Sequence, residues 1–299
     1  MMKKIFTAVL IFLFAFALGG CNKKVNDDKT TISESGTGKI KVVVSFNPVK
    51  EFAEAIGGDK IDVKTIVPEG SEPHDFEPKP RDMESINNAQ LFIYNGLNIE
   101  TWVDKTLSAV DNKTLVTVNA STGINAITLN NQTDPHIWLS LRNAQIEAKN
   151  ILDGLTKVDT ANKDYYEKNY EAFTSKLSKL DKEYENKFKT VANTNFVTGH
   201  AAFAYLCRDY NLKQSSVEDV FAEGEPTAKK LKELVDYCKG NNIKVVFMEE
   251  LASPKVSETL AKEVGAQVEK IYTIESKEDN KDYIQSMQDN LERIYNSLK

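Results

Sequence analysis

Short apolar runs alternate with amphipathic stretches along the chain from residue 40 onward. The β-branched run Ile-Lys-Val-Val-Val-Ser occupies 40–45, and similar short runs occupy 61–67, 91–94 and 114–118. Between them, apolar residues recur at helical spacing in 49–56, 81–88 and 101–110. Strands that alternate with helices are typical of a parallel sheet with crossover helices. The pattern predicts an α/β lobe over residues 40–159.

A second set of the same kind begins after residue 190. Strands are predicted at 195–198 and 244–248, and helices at 201–210, 227–239, 255–264 and 282–298. No close sequence repeat relates this half to the first. The pattern therefore predicts a second, independent α/β lobe over residues 191–299.

A different kind of segment lies between the two predicted lobes. Residues 160–189 contain no Gly or Pro and are dense in charged residues and tyrosine. Apolar residues recur at steps of three and four, at Tyr166, Tyr170, Phe173, Leu177, Leu180, Tyr184 and Phe188. We expect one linking helix over 160–190, about 45 Å long at 1.5 Å per residue. A coiled-coil dimer helix is the alternative, which the short length disfavours.

A stiff helix between two α/β lobes restricts hinge bending and leaves a cleft between the lobes. Open parallel sheets bind ligands at the carboxyl ends of their strands. The predicted fold is therefore α/β, with two Rossmann-like lobes joined by one long rigid helix and a ligand site in the interlobe cleft.

The N-terminal segment is predicted to be an export signal and not part of this fold. Lys3 and Lys4 precede an apolar run that is shorter than the roughly 20 residues of a membrane span. Small residues directly before Cys21 are typical of a bacterial lipoprotein signal, so we expect 1–20 to be removed and Cys21 to be lipidated. Residues 21–39 are almost free of apolar side chains and predict a flexible tether. The protein is thus expected outside the cytoplasm, anchored to the bacterial cell membrane.

The net charge and the cysteines bear on which kinds of ligand the protein could bind. The net charge of −6 becomes −8 once 1–20, with its two lysines, is removed, which argues against nucleic-acid binding. Cys207 and Cys238 both fall in predicted helices. Because the compartment is oxidising, we expect them to form a disulfide, with two separate buried thiols as the alternative. Their spacing does not suggest a cysteine metal site.

The three histidines of the chain all fall on predicted loops beside strands or helices. His74 follows the strand 61–67, His136 precedes a helix, and His200 follows the strand 195–198. Imidazole is the commonest protein ligand for zinc-like metals. With two histidines from the first lobe and one from the second, the sequence predicts a metal site across the cleft.

A fourth ligand is expected from the second lobe, to balance the site. Acidic residues lie on two of its predicted strand-end loops. From the residues alone the candidates stay open, and they are Glu249, Glu250, Glu275 and Asp279.

Several motifs in a fixed order resemble one protein family. Besides the signal at Cys21 they are Pro-His-Asp-Phe-Glu-Pro at 73–78, Asp-Pro-His-Ile-Trp at 134–138, Gly-His-Ala-Ala-Phe-Ala-Tyr-Leu at 199–206, Gly-Glu-Pro-Thr at 224–227, Val-Val-Phe-Met-Glu-Glu at 245–250, Asp-Tyr-Ile-Gln-Ser-Met at 282–287 and Asn-Leu at 290–291. Each is weak alone. Together they make essentially the whole chain resemble the zinc- or manganese-binding lipoproteins of bacterial ABC transporters, the ZnuA/TroA-like substrate-binding proteins.

This resemblance implies two α/β lobes, a rigid linking helix and one metal ion between the lobes. It puts the family's first three ligands on His74, His136 and His200, and its acidic fourth ligand on Glu275, with Asp279 and Glu249 as alternatives. It also implies a membrane permease and an ATPase as partners, and we expect the binding protein itself to be a monomer.

The third ligand position bears on the identity of the metal. In the family a carboxylate at that position goes with manganese, whereas a third histidine leans towards zinc, and three imidazoles suit zinc. His200 therefore favours Zn²⁺, with Mn²⁺ or a dual preference as the alternative. Many zinc-binding members carry a histidine-rich loop between the first two ligands, but 111–133 contains no histidine. A metal-collecting loop is therefore not predicted.

The expected function is capture of Zn²⁺ as cargo and its delivery to an ABC permease for uptake. Four protein ligands leave no position for a metal-bound water, so we expect no enzymatic activity. A zinc hydrolase would need a general base such as Glu72, Glu77 or Glu249, and the sequence has no His-Glu-x-x-His motif. A surface adhesin is a third interpretation, since family members are often described that way, but no residue argues for it.

Overall fold

Two four-stranded parallel sheets form the framework of the computed structural model, which describes residues 38–129, 131–221, 227–249 and 254–299. The first sheet contains β1 (Ile40–Val44), β2 (Ile61–Thr65), β3 (Leu91–Tyr94) and β4 (Val116–Asn119), in the order β2-β1-β3-β4. Predicted features that lie outside the described residues are the signal 1–20, Cys21, the tether up to residue 37, Glu250 and most of the 224–227 motif.

Four helices and a short hairpin accompany the first sheet. They are α1 (Asn47–Gly57), α2 (Pro80–Asn87), α3 (Val103–Ala109), the hairpin strands β5 (Thr128–Leu129) and β6 (Gln132–Thr133), and α4 (Leu141–Val158). The Ser140 hydroxyl accepts a hydrogen bond from the Asn143 backbone N–H and so caps α4. Because this cap fixes where α4 begins, it also fixes the short segment before it, which carries His136.

One long helix connects the two lobes, as the sequence predicted. It is α5 (Lys163–Phe188), 26 residues and therefore about 39 Å long, preceded by a 3₁₀ turn at Thr160–Asn162. Its buried side chains are Tyr166, Phe173, Leu177, Leu180, Tyr184 and Phe188. With them α5 packs on α1 and α4 of the first lobe and on two helices of the second, α6 (Ala204–Tyr210) and α9 (Tyr283–Ser297).

The second sheet repeats the parallel arrangement. It contains β7 (Asn195–Thr198), β8 (Lys213–Ser216), β9 (Val245–Met248) and β10 (Gln267–Lys270), in the order β10-β9-β7-β8. Besides α6 and α9, this lobe contains α7 (Ala228–Gly240) and α8 (Pro254–Val264), which pack on each other. The edge strands read Lys-Gln-Ser-Ser and Gln-Val-Glu-Lys. Edge strands tolerate polar side chains, which is why the apolar pattern does not mark them.

A single hydrophobic cluster runs from the first sheet through α5 to the second sheet. It includes Val44 and Leu91 on one side, Leu177 in the middle, and Phe196 and Phe247 on the other. Residues Gly38–Lys299 accordingly form one compact unit. The α/β class, the two parallel sheets and the linking helix are confirmed, while the boundaries 40–159, 160–190 and 191–299 stay predictions. Among the described residues, no helix combines the length and apolar character needed to cross a bilayer.

The expected disulfide between Cys207 and Cys238 is not formed in the structure, where both are free, buried thiols. Cys207, on α6, belongs to the cluster that contains Phe196 and Phe247, whereas Cys238, on α7, packs with Val197. Successive side chains of a strand point to opposite faces of a sheet. The second sheet therefore stands between the two thiols, and the alternative of two separate buried cysteines describes the structure.

Candidate metal centre

Each predicted ligand lies on a loop that follows a strand. His74 is on the loop after β2, His136 is between β6 and the 3₁₀ turn Ile137–Leu139, His200 comes directly after β7, and Glu275 is on the loop after β10. Because parallel strands within a sheet end at the same edge, the loops of His74, His200 and Glu275 lie at the carboxyl edges of the two sheets, whereas His136 follows the antiparallel hairpin β5–β6. His136, His200 and Glu275 are 0%, 4% and 3% exposed, and the His74 side chain is 4% exposed.

The four predicted ligands converge. One nitrogen or oxygen atom from each of His74, His136, His200 and Glu275 lies within 4.8 Å of the others, the single such cluster among the residues that the structure describes. Nε2 of His136 lies 3.3 Å from Nε2 of His74 and 3.3 Å from Nε2 of His200. Zn–N bonds of about 2.0–2.1 Å place tetrahedral ligand atoms about 3.3–3.4 Å apart. The spacing of the ring nitrogens therefore suits a zinc-sized ion.

Glu275 turns one carboxylate oxygen towards the imidazoles. Oε1 lies 3.5 Å from Nε2 of His136 and 4.0 Å from Nε2 of His74, and it is buried without a hydrogen-bond partner. Oε2 instead accepts a hydrogen bond of 3.0 Å from the Thr273 hydroxyl. A buried anionic oxygen that faces ring nitrogens and lacks a partner fits a bound cation.

The backbone next to Glu275 adopts an unusual conformation. Ile274 has φ = 65°, in the left-handed region that β-branched residues rarely enter. Two groups of the first lobe hold this turn, since the Asn47 side-chain amide donates to the Ile274 carbonyl at 3.2 Å and the Trp138 indole N–H donates to the Thr273 carbonyl at 2.7 Å. The first lobe thus fixes a loop that belongs in sequence to the second.

His136 is oriented by a buried carboxylate. Oδ1 of Asp134 lies 2.8 Å from Nδ1 of His136 and also accepts the His136 backbone N–H at 2.9 Å. Asp134 is 0% exposed, and its carbonyl accepts the Tyr205 hydroxyl. Because Nδ1 donates its proton to Asp134, Nε2 is left to bind a metal, the arrangement that is usual for histidine ligands of zinc.

The electrostatics of the metal-free site differ among the histidines. Burial, with the nearby positive charge of His136, lowers the pKa of His74 to about 4 and that of His200 to about 3. Burial also acts to lower the pKa of His136, but attraction to Asp134 and Glu275 outweighs it and raises the pKa to about 9. The same contact with His136 holds the pKa of Glu275 below its usual value despite burial. At neutral pH two imidazoles are therefore neutral, and one proton is shared around His136 and Glu275.

The other described candidates for the fourth ligand lie outside the cluster. Oε1 of Glu249 accepts the His200 backbone N–H at 3.3 Å and is 4.0 Å from Nδ1 of the same residue, so it packs behind the ring. Burial raises the pKa of Glu249 to about 8. Asp279 instead accepts hydrogen bonds from the Tyr272 hydroxyl at 2.6 Å and from Lys270 at 3.2 Å. Of the acidic candidates that the structure describes, only Glu275 faces the three histidines.

Sequence reasoning did not identify four residues that support the cluster, namely Asp134, Trp138, Thr273 and Asn47. For Asp134 there was a signal, because an acidic residue two positions before a histidine is well placed to bind its ring. Trp138 belongs to the motif at 134–138, but the sequence does not indicate that its indole N–H bonds the distant Thr273 carbonyl. Thr273 and Asn47 give no local signal, since their roles depend on contacts between distant segments.

Comparison with known proteins assigns the family. The sequence model of the ZnuA family, described as zinc-uptake complex component A, periplasmic, matches residues 42–297. The chain belongs to the ZnuA family. That match covers both sheets except the first two residues of β1, together with α5 and all four residues of the metal cluster.

Relatives of known sequence and structure agree with the ZnuA assignment. The chain is 40% identical to a putative metal-binding protein of Treponema pallidum, over 87% of both chains. It is 38% identical to the high-affinity zinc uptake system protein ZnuA of Bacillus subtilis, over 98% of this chain and 97% of the relative.

Two solved structures of ZnuA-like proteins share the fold. The metal-dependent lipoprotein YcdH of Bacillus subtilis is 41% identical, with a TM-score of 0.79. The laminin-binding protein Lmb of Streptococcus agalactiae, described as bifunctional with adhesin and metal-transporting activity, is 34% identical, with a TM-score of 0.82. Each match covers 87% of this chain and 100% of the relative. The two-lobe architecture predicted from the sequence is therefore that of the ZnuA family.

Proposed function

We propose that this protein captures Zn²⁺ outside the cytoplasm and delivers it to the permease of an ABC transporter. The observation that carries the proposal is the convergence of His74, His136, His200 and Glu275, whose ligand atoms lie within 4.8 Å of one another, with Nε2 of His136 3.3 Å from both other imidazoles. Three imidazoles and one carboxylate oxygen are a ligand set that suits zinc, whereas manganese prefers sites richer in oxygen. The names of the Bacillus subtilis relative and the family support the same cargo.

In this proposal the ion is cargo and not a catalyst. Four protein ligands complete a tetrahedral shell and leave no position for a reactive water. Glu249 packs behind His200, so it orients a ligand and is not placed to activate a water on the metal. Adhesion is a described activity of the streptococcal relative, and the four-ligand site accounts for metal capture alone.

The rest of the chain would serve delivery. We propose that lipid on Cys21 and the tether 21–39 keep a monomeric binding protein at the membrane surface, near its permease and ATPase. The lobes 40–159 and 191–299, held by the helix 160–190, would then present the loaded cleft. Two relatives are named as lipoproteins of this kind, a zinc-binding one and one of a metal ABC transporter.

A chelator-competition titration with zinc and with manganese tests the cargo. We expect one tightly bound Zn²⁺ per chain, a much weaker Mn²⁺ complex, and a large loss of zinc affinity in His200→Ala. Because zinc outcompetes manganese at almost any nitrogen site, the informative quantity is the ratio of the zinc affinity to the manganese affinity. Comparable affinities would move the cargo to manganese or to both metals, and no tight binding of either would refute the proposal.

A matched pair of variants tests the fourth ligand. Glu275→Gln removes the negative charge that faces the imidazoles, so we expect the zinc affinity to fall by at least about tenfold. Asp279→Asn changes an acidic residue four positions away, on the same loop, that bonds Tyr272 and Lys270 instead. This control is expected to bind zinc like the unmodified protein. Equal losses in the two variants, or a loss confined to Asp279→Asn, would reject Glu275 as the ligand.

A further inference from the structure

The loop that carries Glu275 is held by hydrogen bonds from both lobes, and the donor lobe changes between Tyr272 and Thr273. Up to Tyr272 it is held within the second lobe, because Asn290 on α9 accepts the Tyr272 backbone N–H at 2.8 Å and donates to its carbonyl at 2.7 Å. At Thr273 the support passes to the first lobe, where the Trp138 indole N–H donates to the Thr273 carbonyl at 2.7 Å. The backbone of Thr273 is therefore fixed from both lobes.

The Thr273 side chain uses this fixed backbone to restrain Glu275. Thr273 is 1% exposed, and its hydroxyl donates to Oε2 of Glu275 at 3.0 Å. Oε1 is left as the oxygen that faces the histidines. For Glu275 to present both oxygens to an ion, the carboxylate would have to turn within its buried surroundings, which would strain or break the hydrogen bond from the Thr273 hydroxyl to Oε2.

The number of oxygens that Glu275 offers sets the coordination number of the site. One oxygen beside three imidazoles gives four ligand atoms, which zinc accepts as a closed tetrahedral shell. Two oxygens would give five and would add the oxygen character that manganese prefers. The hydrogen bond from Thr273 to Oε2 of Glu275 would thus influence which metal binds, although Thr273 itself is not a ligand.

We propose that Thr273, anchored by Trp138, is a specificity-determining positioning residue that keeps Glu275 a one-oxygen ligand and so disfavours manganese. This inference rests on the proposed function, and it adds the reason why the site discriminates between metals. It attributes the preference for zinc over manganese to Thr273 as well as to His200.

The test compares the full protein with Thr273→Val, which keeps the branched shape but removes the hydroxyl, and with Thr273→Ser, which keeps the hydroxyl. Zinc and manganese affinities are measured by chelator competition. We expect Thr273→Val to lower the zinc affinity by about tenfold, as is common for residues behind metal ligands, and to narrow the gap between zinc and manganese. Thr273→Ser is expected to keep the unmodified gap.

The visible spectrum of bound Co²⁺ reports the coordination number of the site directly. A residue that only stabilised the fold would not change this spectrum. Four-coordinate Co²⁺ absorbs visible light more strongly than five- or six-coordinate Co²⁺. We expect the intense bands of a tetrahedral complex in the unmodified protein and in Thr273→Ser, and weaker bands in Thr273→Val. Thermal unfolding of the metal-free proteins checks the fold, and Thr273→Ala replaces Thr273→Val if that variant does not fold.

The two possible failures are distinguishable. An unchanged metal gap together with an unchanged cobalt spectrum in Thr273→Val would overturn the role of Thr273 while leaving the zinc carrier intact. If the unmodified protein bound neither zinc nor manganese tightly, the proposed function itself would fall.

Discussion

Replacing His136 by alanine is expected to lower the zinc affinity by more than about 100-fold, beyond the range usual for residues that only support a ligand. The reason is its central position, since Nε2 of His136 lies 3.3 Å from the ring nitrogens of both His74 and His200 and 3.5 Å from Oε1 of Glu275. Removing His136 leaves three ligand atoms and an open position in the coordination shell. Isothermal titration with a competing chelator measures the loss.

A control is needed because His136→Ala also leaves the buried Asp134 carboxylate without its ring partner. Such a charge destabilises a fold, so thermal unfolding of the metal-free variant has to be measured beside binding. The double variant His136→Ala/Asp134→Asn removes that unpaired charge and should recover stability without recovering zinc affinity. Tight zinc binding by a folded His136 variant would show that the ion is not held at this cluster.

Zinc affinity is expected to fall by about 100-fold between pH 7 and pH 5. With the pKa of His136 raised to about 9 and those of His74 and His200 lowered to about 4 and 3, the metal-free site holds one proton on its imidazoles throughout this interval. Zinc must displace that proton, so the affinity changes about tenfold per pH unit. Competition with a chelator of known pH dependence gives the slope.

Three ordinary histidines would behave differently. With pKa values near 6.5 each, they would together reduce the affinity by about 10⁴-fold over the same two pH units. A slope that steepens towards three protons below pH 6.5 would therefore contradict the electrostatics of this site. Proton release can be counted independently by calorimetry in buffers of different ionisation enthalpy, and we expect about one proton per zinc at pH 7.

Much of this site could be predicted because His74 and His200 follow strands that the apolar pattern marks clearly, whereas His136 follows the short polar strand β6 and was placed only by the helix after it. The strands 91–94 and 195–198 were predicted at their observed bounds, and His200 directly follows the second of these. The strand β10, which leads to Glu275, is a polar edge strand, so the pattern did not bound it. The three histidines were therefore placed from sequence, whereas the acidic ligand stayed open without the family resemblance.

Whether Glu275 or Asp279 faces the histidines depends on a backbone conformation that cannot be predicted from the local sequence. Isoleucine is a poor candidate for the left-handed region, yet Ile274 occupies it because Asn47 and Trp138, distant in sequence, hold the turn from the other lobe. The disulfide prediction was wrong for a related reason. Helix periodicity placed Cys207 and Cys238 on helices, but it does not say which face of the sheet each helix covers.

The continuous hydrophobic cluster that joins both sheets through α5 links zinc supply to the lifetime of the protein. Because the largest apolar cluster is shared by both lobes, and each lobe has only a smaller cluster of its own, the region Gly38–Lys299 should lose its structure as a whole. A ligand that binds only the folded chain lowers the population of the unfolded form everywhere at once. In zinc-poor surroundings, a larger fraction of the metal-free protein would be unfolded and accessible to proteases than of the zinc-bound protein. The abundance of the protein would therefore increase with the zinc supply.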